Sequence, residues 1–350
     1  MTNLLLLVLF VVVILAVSSK RINSKYSIDS LLKFYENTYS PSFLEPQGSS
    51  IVINHFDDLD AIKKQLESQS LDSLLEQKKL NLQKKPNLFI FNPHDINARN
   101  WLSWGSRNSN NINEPYVLLC ILSIIRHCGK DFNVVLLNDQ SFEKLIPNWS
   151  IDMTHISGNV KCQLRNIGMY KILYNYGGIF VPRSFLCKKT LLPLFHSKNS
   201  HQMICGSLKN ESVMPVDICI SNKFIGCNKE NQVMKQFINE VSILQSQDYT
   251  NEIEFLGKVE KILYQLALNK KVFQIQPMQI GLVNDKCEYI STKDLLSERK
   301  IQLDRDCLGV LIDEKMLLSY FNYGWFVRMS PQQIFTSKLW ISQQFINALQ

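Results

Sequence analysis

The sequence predicts an α/β domain in which a mostly parallel sheet is flanked by helices. Two observations predict this class. From residue 86 onward, short apolar segments rich in β-branched residues alternate with amphipathic helix-like segments. The 350 residues, 45% of them hydrophobic, also suffice for one large domain with an appended lobe. An alternation of strand and helix favours parallel strands joined by helical connections.

The amino terminus begins with an apolar run of 14 residues, 4–17. As a helix it would cover about 21 Å, less than the roughly 30 Å of a bilayer core. A cleaved signal peptide has a run of this length, although no Lys or Arg precedes it here. We favour a single-pass membrane anchor, because Lys20 and Arg21 follow the run. The positive-inside tendency then places the main domain in the cytosol. The alternative is the secretory lumen, or secretion after cleavage.

The segment 20–85, after the apolar run, is mostly polar, and its apolar residues recur at helical spacing. We therefore divide the chain into a hydrophobic anchor or signal segment at 1–19, a helical stem at 20–85 and a main domain at 86–350.

The first half of the main domain begins with a short strand, Leu88–Phe91, which a turn at Asn92 follows. Pro115 favours a helix start, and the helix is predicted to run to Cys128. A β-branched strand, Phe132–Leu137, comes next, and another helix starts at about Ser141.

The second half contains a helix-like run, Cys162–Asn175, that a glycine pair stops before a short apolar strand. Further along, Ile218–Ile220 predicts a strand, Asn231–Leu244 an amphipathic helix and Gln332–Leu349 a last single helix.

The charge and cysteine content bound the function. The net charge of +7 comes from 38 basic and 31 acidic residues without a dense basic block, so we expect no nucleic-acid partner. An anionic membrane surface or a nucleotide diphosphate explains the excess equally well. The nine cysteines include no Cys-x-x-Cys pair and favour buried thiols in a reducing compartment, while disulfides stay open. The motifs of hydrolases and kinases are missing.

The stretch 176–184, Tyr-Gly-Gly-Ile-Phe-Val-Pro-Arg-Ser, resembles the centre of the sugar-nucleotide site in GT-A-type glycosyltransferases of the capsular-polysaccharide-synthesis kind. Three other segments appear in the expected order. They are the strand Leu88–Phe91 with Trp101, Trp104 and Arg107 after it, the helix ending at Cys128 with the strand that follows, and Ser221–Cys227. The resemblance implies a GT-A-like, Rossmann-like fold and transfer of a sugar from a nucleotide-sugar donor to a glycan or lipid acceptor.

The catalytic signature of that family is absent. In the family the strand after the glycine pair ends in an Asp-x-Asp (DXD) group that holds a metal ion, and the matching positions here are Pro182, Arg183 and Ser184. A proline side chain cannot ligate a metal, and a serine hydroxyl alone is a poor ligand. We therefore expect no metal site and no cofactor. An Asp of the preceding family helix corresponds to Asn166, and the Arg one turn later to Met169.

The resemblance gives a set of donor-binding candidates, which are Asp139, Asn166, Gly177, Gly178, Arg183 and Ser184. Asn222 is the candidate on the acceptor side. Arg183 could clamp a diphosphate in place of a metal, because a guanidinium binds phosphate in a bidentate manner. The alternative for Arg183 is a solvated surface charge, and the alternative for Asp139 is a helix cap.

Three functions stay open at this point. One is a metal-independent or degenerate glycosyltransferase. Another is a non-catalytic descendant that binds a glycan or a protein partner, which the missing carboxylates favour. The third is a structural membrane or virion component. The sequence leaves open whether the protein is an enzyme.

Overall fold

A computed structural model describes residues 51–53, 85–93, 114–197, 199–210, 217–247, 252–319 and 321–349. The apolar run 4–17, most of the predicted stem, and Trp101, Trp104 and Arg107 lie outside these residues. The anchor, the signal alternative and the division of the chain therefore stay predictions. None of the helices in the described ranges is both long and apolar enough to span a bilayer.

The described strands are β1 (Ile51–Ile53), β2 (Asn87–Phe91), β3 (Asn133–Leu137), β4 (Gly178–Phe180), β5 (Phe185–Cys187), β6 (Met203–Asn210), β7 (Asp217–Cys227), β8 (Val272–Gln274) and β9 (Gly309–Leu311). The described α-helices are α1 (Pro115–Cys128), α2 (Asp139–Leu145), α3 (Gly158–Tyr176), α4 (Leu192–Ser197), α5 (Gln232–Ser246), α6 (Glu252–Leu268), α7 (Thr292–Leu295), α8 (Glu314–Ser319), α9 (Gly324–Val327), α10 (Pro331–Thr336) and α11 (Trp340–Leu349). Short 3-10 turns occur at Met153–His155, Pro277–Ile280 and Phe321–Tyr323.

Seven of these strands form one sheet in the order β1-β3-β2-β4-β7-β6-β8. Strands β2, β3, β4, β6 and β8 run in one direction, and β1 and β7 run against them. The predicted α/β class with a mostly parallel sheet flanked by helices is therefore confirmed. Strand β1 pairs with β3 from within the segment predicted as a stem. A second, two-stranded sheet pairs β5 with β9.

The large sheet has a hydrophobic core on each face, because successive strand residues point to opposite sides. Leu88 and Ile90 face one core, which contains α1, the small β5–β9 sheet and the carboxyl-terminal helices. Phe89 faces the other core, which contains α2, α3, α5 and α6.

The start of β4 explains the glycine pair. Gly177 and Gly178 have φ values of 67° and 124°, which favour residues without a Cβ. A Cβ on Gly177 would lie 2.6 Å from the Lys229 nitrogen, and one on Gly178 would lie 2.3 Å from the Asn87 oxygen. The pair therefore ends α3 and lets β4 lie close against β2.

The last predicted helix is wrong in one respect. Gln332–Leu349 was expected to be continuous, but it is divided into α10 and α11. Ser337 is extended, with a ψ of 155°, and the Trp340 amide donates to the Ser297 carbonyl at 2.8 Å. A backbone bond to a distant segment thus replaces a helical bond at the break.

Candidate functional site

The carboxyl ends of β2, β3 and β4 meet at one edge of the sheet, because these three neighbouring strands are parallel. Ligands of open α/β sheets bind at such an edge. Asn92 directly follows β2, Asp139 lies two residues after the end of β3, and Arg183 lies three residues after the end of β4. Two groups of charged side chains occupy the edge, one on each side of the end of β2.

The first group, the Arg183 cluster, consists of Asn92, Glu114, Arg183 and Glu314. The Arg183 guanidinium donates to both oxygens of Glu314, through Nε at 3.1 Å and through Nη2. Its Nη1 donates to Asn92 Oδ1 at 3.0 Å, and Nη2 lies 3.5 Å from Glu114 Oε2. The Glu114 side chain is 4% exposed and the Glu314 side chain 25%. One cation therefore faces two carboxylates.

The pairing of β5 with β9 brings Glu314 to Arg183. Phe185 lies opposite Leu311, and the Ser184 hydroxyl donates to the Ile312 carbonyl at 2.8 Å. Glu314 lies two residues after Ile312, and Arg183 lies one residue before Ser184. The Arg183 and Glu314 side chains therefore meet at the end of the β5–β9 pairing. The hydroxyl of Ser184 is buried and directed toward β9.

The second group, the Arg165 cluster, consists of Asp139, Lys161 and Arg165. Arg165 donates to Asp139 in a bidentate manner, Nε to Oδ1 at 2.7 Å and Nη2 to Oδ2 at 2.6 Å. Lys161 Nζ lies 3.6 Å from Asp139 Oδ2. The Arg165 guanidinium also lies over the Phe91 ring, 5.6 Å from its centroid. Here one carboxylate faces two cations.

Phe91 and Asn92 are successive residues at the end of β2, which explains why the clusters are separate. The Phe91 ring contacts the Arg165 guanidinium on one face of the sheet. The Asn92 side chain accepts a hydrogen bond from Arg183 on the other face. Among the described side chains the two clusters are thus neighbours that differ in composition: the Arg183 cluster pairs one cation with two carboxylates, and the Arg165 cluster pairs one carboxylate with two cations.

The structure brings together only some of the predicted donor-binding residues. Asp139 and Arg183 lie at the carboxyl edge, and Ser184 lies beside it. Gly177 and Gly178 lie at the start of β4, at the opposite edge of the sheet. They let β4 begin close to β2, and they are buried rather than on an exterior bend.

The remaining predicted residues lie beside α3. Asn166 lies on α3 itself, next to Arg165, and is half-buried. Asn222 lies within β7 and donates its amide to the Tyr170 hydroxyl of α3 at 2.6 Å. Burial raises the pKa of that hydroxyl, which keeps it protonated.

Asp139 does not cap α2, because the cap is Asn138, whose side chain accepts from the Ser141 amide at 3.1 Å. The two lysines after β5 are also engaged. Lys188 donates to Gln344 Oε1 at 2.9 Å, and Lys189 donates to the Arg305 carbonyl.

Sequence reasoning missed the partners of both arginines. Glu114 and Glu314 lie 69 and 131 residues from Arg183, so no local spacing links them. Arg165 precedes Asn166, the position that corresponds to the family Asp, by one residue. Its pairing with Asp139 depends on how α2 packs on α3.

Within the described part of the chain, no group of three or more His, Cys, Asp and Glu side chains is arranged to hold a metal ion. The predicted lack of metal and cofactor stays a prediction.

The sequence matches no protein-family model and no curated protein. One solved structure that matches is "PaToxG Glycosyltransferase", with 13% of residues identical, 55% of this chain and 74% of that chain covered, and a TM-score of 0.33. A TM-score of this size does not establish a shared fold.

Proposed function

We propose that the chain is a glycosyltransferase-like protein that binds a nucleotide sugar at the carboxyl edge of β2, β3 and β4 without a divalent cation. A glycan or lipid acceptor would bind beside it. One observation supports the proposal: side-chain cations, Arg165, Lys161 and Arg183, are fixed at the edge of an α/β sheet where ligands bind.

The chemistry of sugar transfer requires charge stabilisation at this place. A departing nucleoside diphosphate develops negative charge, and a fixed cation in a partly buried site stabilises that charge. A guanidinium binds phosphate oxygens in a bidentate manner and stays protonated at every physiological pH. Arginine and lysine side chains can therefore supply the charge that a divalent cation supplies elsewhere.

The neighbouring carboxylates distinguish the Arg183 cluster from the Arg165 cluster as a place for the phosphates. Arg183 is held by two carboxylates, so a diphosphate must displace Glu314, the more exposed of the two. In the Arg165 cluster two cations face one described carboxylate, and Lys161 lies 3.6 Å from the aspartate oxygen, longer than a hydrogen bond. We therefore assign the diphosphate to Lys161 and Arg165, with Arg183 as the weaker ligand.

A non-catalytic descendant that binds a glycan or a protein partner is the second candidate. It is favoured by the internal contacts of the predicted donor-binding side chains. Asp139 is bonded by Arg165, Arg183 by Glu314 and Ser184 by the Ile312 carbonyl. A site that serves transfer must break some of these bonds when the donor enters.

Titration calorimetry of the full-length chain with uridine and guanosine diphosphate-sugars tests the proposal. We expect binding that manganese changes by less than about threefold, and a loss of at least about tenfold in Lys161→Met. Strong dependence on manganese would contradict a metal-independent site. No binding of any donor would favour the second candidate.

The variant Glu314→Gln gives a sharper control, because it removes the carboxylate that competes for Arg183 and keeps the shape of the side chain. If the diphosphate reaches Arg183, affinity rises by about fivefold, corresponding to about 1 kcal/mol. Unchanged affinity in Glu314→Gln with lost affinity in Lys161→Met assigns the phosphate to the Arg165 cluster alone.

A further inference from the structure

Two buried thiols lie in contact between α1 and the small β5–β9 sheet. The Cys128 and Cys187 sulfurs are 3.8 Å apart, and both residues are fully buried. Cys128 is the last residue of α1, and Cys187 is the last residue of β5. They lie 59 residues apart in the chain.

We infer that Cys128 and Cys187 form an oxidisable pair that closes to a disulfide when the chain folds in the presence of a small-molecule disulfide. A disulfide holds its sulfurs at about 2.05 Å, so the two atoms must approach by roughly 1.8 Å. Helix α1 already lies against β5, because the Cys187 amide donates to the Ser123 hydroxyl of α1 at 2.9 Å. This bond holds the two elements together beside the thiols.

The reaction is thiol–disulfide exchange and balances with the named oxidant. One protein thiolate attacks the small disulfide, forms a mixed disulfide and releases one small thiolate. The second protein thiolate then displaces the other small thiolate and forms the protein disulfide. The protein loses two protons and two electrons, and the small disulfide becomes two thiols.

The timing follows from burial. Once α1 and β5 are packed, neither sulfur is accessible to solvent. Burial, together with the neighbouring Cys128, raises the pKa of the Cys187 thiol, so little reactive thiolate is present in the folded protein. Exchange therefore takes place while the chain folds, and the folded thiol pair resists oxidants.

The bond would stabilise the frame of the Arg183 cluster. Strand β5 begins two residues after Arg183, and its partner strand β9 ends three residues before Glu314. A link from β5 to α1 therefore fixes the small sheet that brings these two charges together. The inference does not depend on the proposed function.

The test is refolding of the full-length chain from denaturant with oxidised and reduced glutathione, followed by alkylation and peptide mapping without reduction. We expect a Cys128–Cys187 peptide as the dominant link, and little of it when the folded reduced protein is given the same oxidant. Cys205 and Cys227 serve as an internal comparison, because they are also buried, on the adjacent strands β6 and β7, but the Cys227 thiol is directed to the Leu173 carbonyl of α3. Equal linkage among all cysteines, or free Cys128 and Cys187 after oxidative refolding, would overturn the inference.

Thermal unfolding gives the second measurement. The closed loop should raise the melting temperature of the oxidised protein by on the order of 5 °C over the reduced protein. Cys128→Ser should abolish that difference. A lower melting temperature in the linked protein would show that the native frame does not accommodate the bond. The peptide map needs no variant, so a folding defect in Cys128→Ser leaves the test intact.

Discussion

On one face of the end of β2 an arginine pairs with two glutamates, and on the other face an aspartate pairs with an arginine and a lysine. Both clusters sit at the same edge of the sheet and use bidentate contacts of a guanidinium with a carboxylate. They differ in the described pairs, which are one cation with two carboxylates in the Arg183 cluster and one carboxylate with two cations in the Arg165 cluster. A conspicuous arginine after a strand therefore need not be the anion-binding residue, because the surrounding carboxylates compete for it.

The clusters also differ in what they connect. The Arg165 cluster joins α2 and α3, which are close in the chain, since Asp139 and Arg165 are 26 positions apart. The Arg183 cluster joins the end of β4 to the starts of α1 and α8, over 69 and 131 residues. We therefore expect the Arg183 cluster to contribute more to the stability of the whole domain, and the Arg165 cluster to contribute more to ligand binding.

The largest effect is expected for Arg183→Met. This change removes the described cation contact of the buried Glu114 and leaves it next to a second carboxylate, so we expect a loss of about 3 to 5 kcal/mol in the free energy of unfolding. Urea unfolding of the full-length chain measures it. The triple variant Arg183→Met, Glu114→Gln, Glu314→Gln should recover part of the loss, because no uncompensated charge remains. Equal losses in the single and triple variants would show that the guanidinium acts by packing alone.

A smaller loss, about 2 kcal/mol, is expected for Arg165→Met. Asp139 then keeps Lys161 at 3.6 Å from one of its oxygens, so the carboxylate retains a described cation nearby. The same urea measurement checks the order of the two variants. Asp139→Asn in the Arg165→Met background should restore stability in part. A larger loss for Arg165→Met than for Arg183→Met would reverse the comparison.

The sequence predicted the elements that carry strong local signals. Pro115 and the apolar period of the following residues predicted α1, and the structure has that helix at Pro115–Cys128. The strand at Leu88–Phe91 was short by one residue, and the helix before the glycine pair begins at Gly158 rather than Cys162. The spacing of apolar residues does not show such a helix start, because the first turn is mostly polar.

The candidate site was less predictable, because its contacts join distant parts of the chain. Asp139 and Arg183 could be placed at one edge from the parallel order of their strands. The register of β5 with β9 determines that Glu314 meets Arg183, and this register has no local signature in the sequence. The role of the glycine pair was also decided by tertiary packing, since Gly178 is required by the closeness of the Asn87 backbone.

The smallest expected effect concerns how the free energy of unfolding depends on pH. His127 lies at the opposite end of α1 from Glu114, and its Nε2 lies 2.9 Å from the Ala348 carbonyl. Burial lowers the pKa of His127; the bond to Ala348 opposes this shift, and the neighbouring Arg126 adds to it.

The unfolded chain therefore takes up the proton at a higher pH than the folded chain. The stability contributed by neutral His127 is complete above about pH 6.5 and is lost as the pH falls through the lower pKa of the folded state.

His127→Gln tests this sign, because the glutamine amide can still donate to Ala348 but does not titrate. Between about pH 7.5 and pH 5.5 the unmodified chain should lose more stability than the variant, by less than about 1 kcal/mol because solvent screens a half-buried imidazole. Urea unfolding at the two pH values measures the difference. A variant that loses as much stability as the unmodified chain would show that His127 does not cause the acid sensitivity.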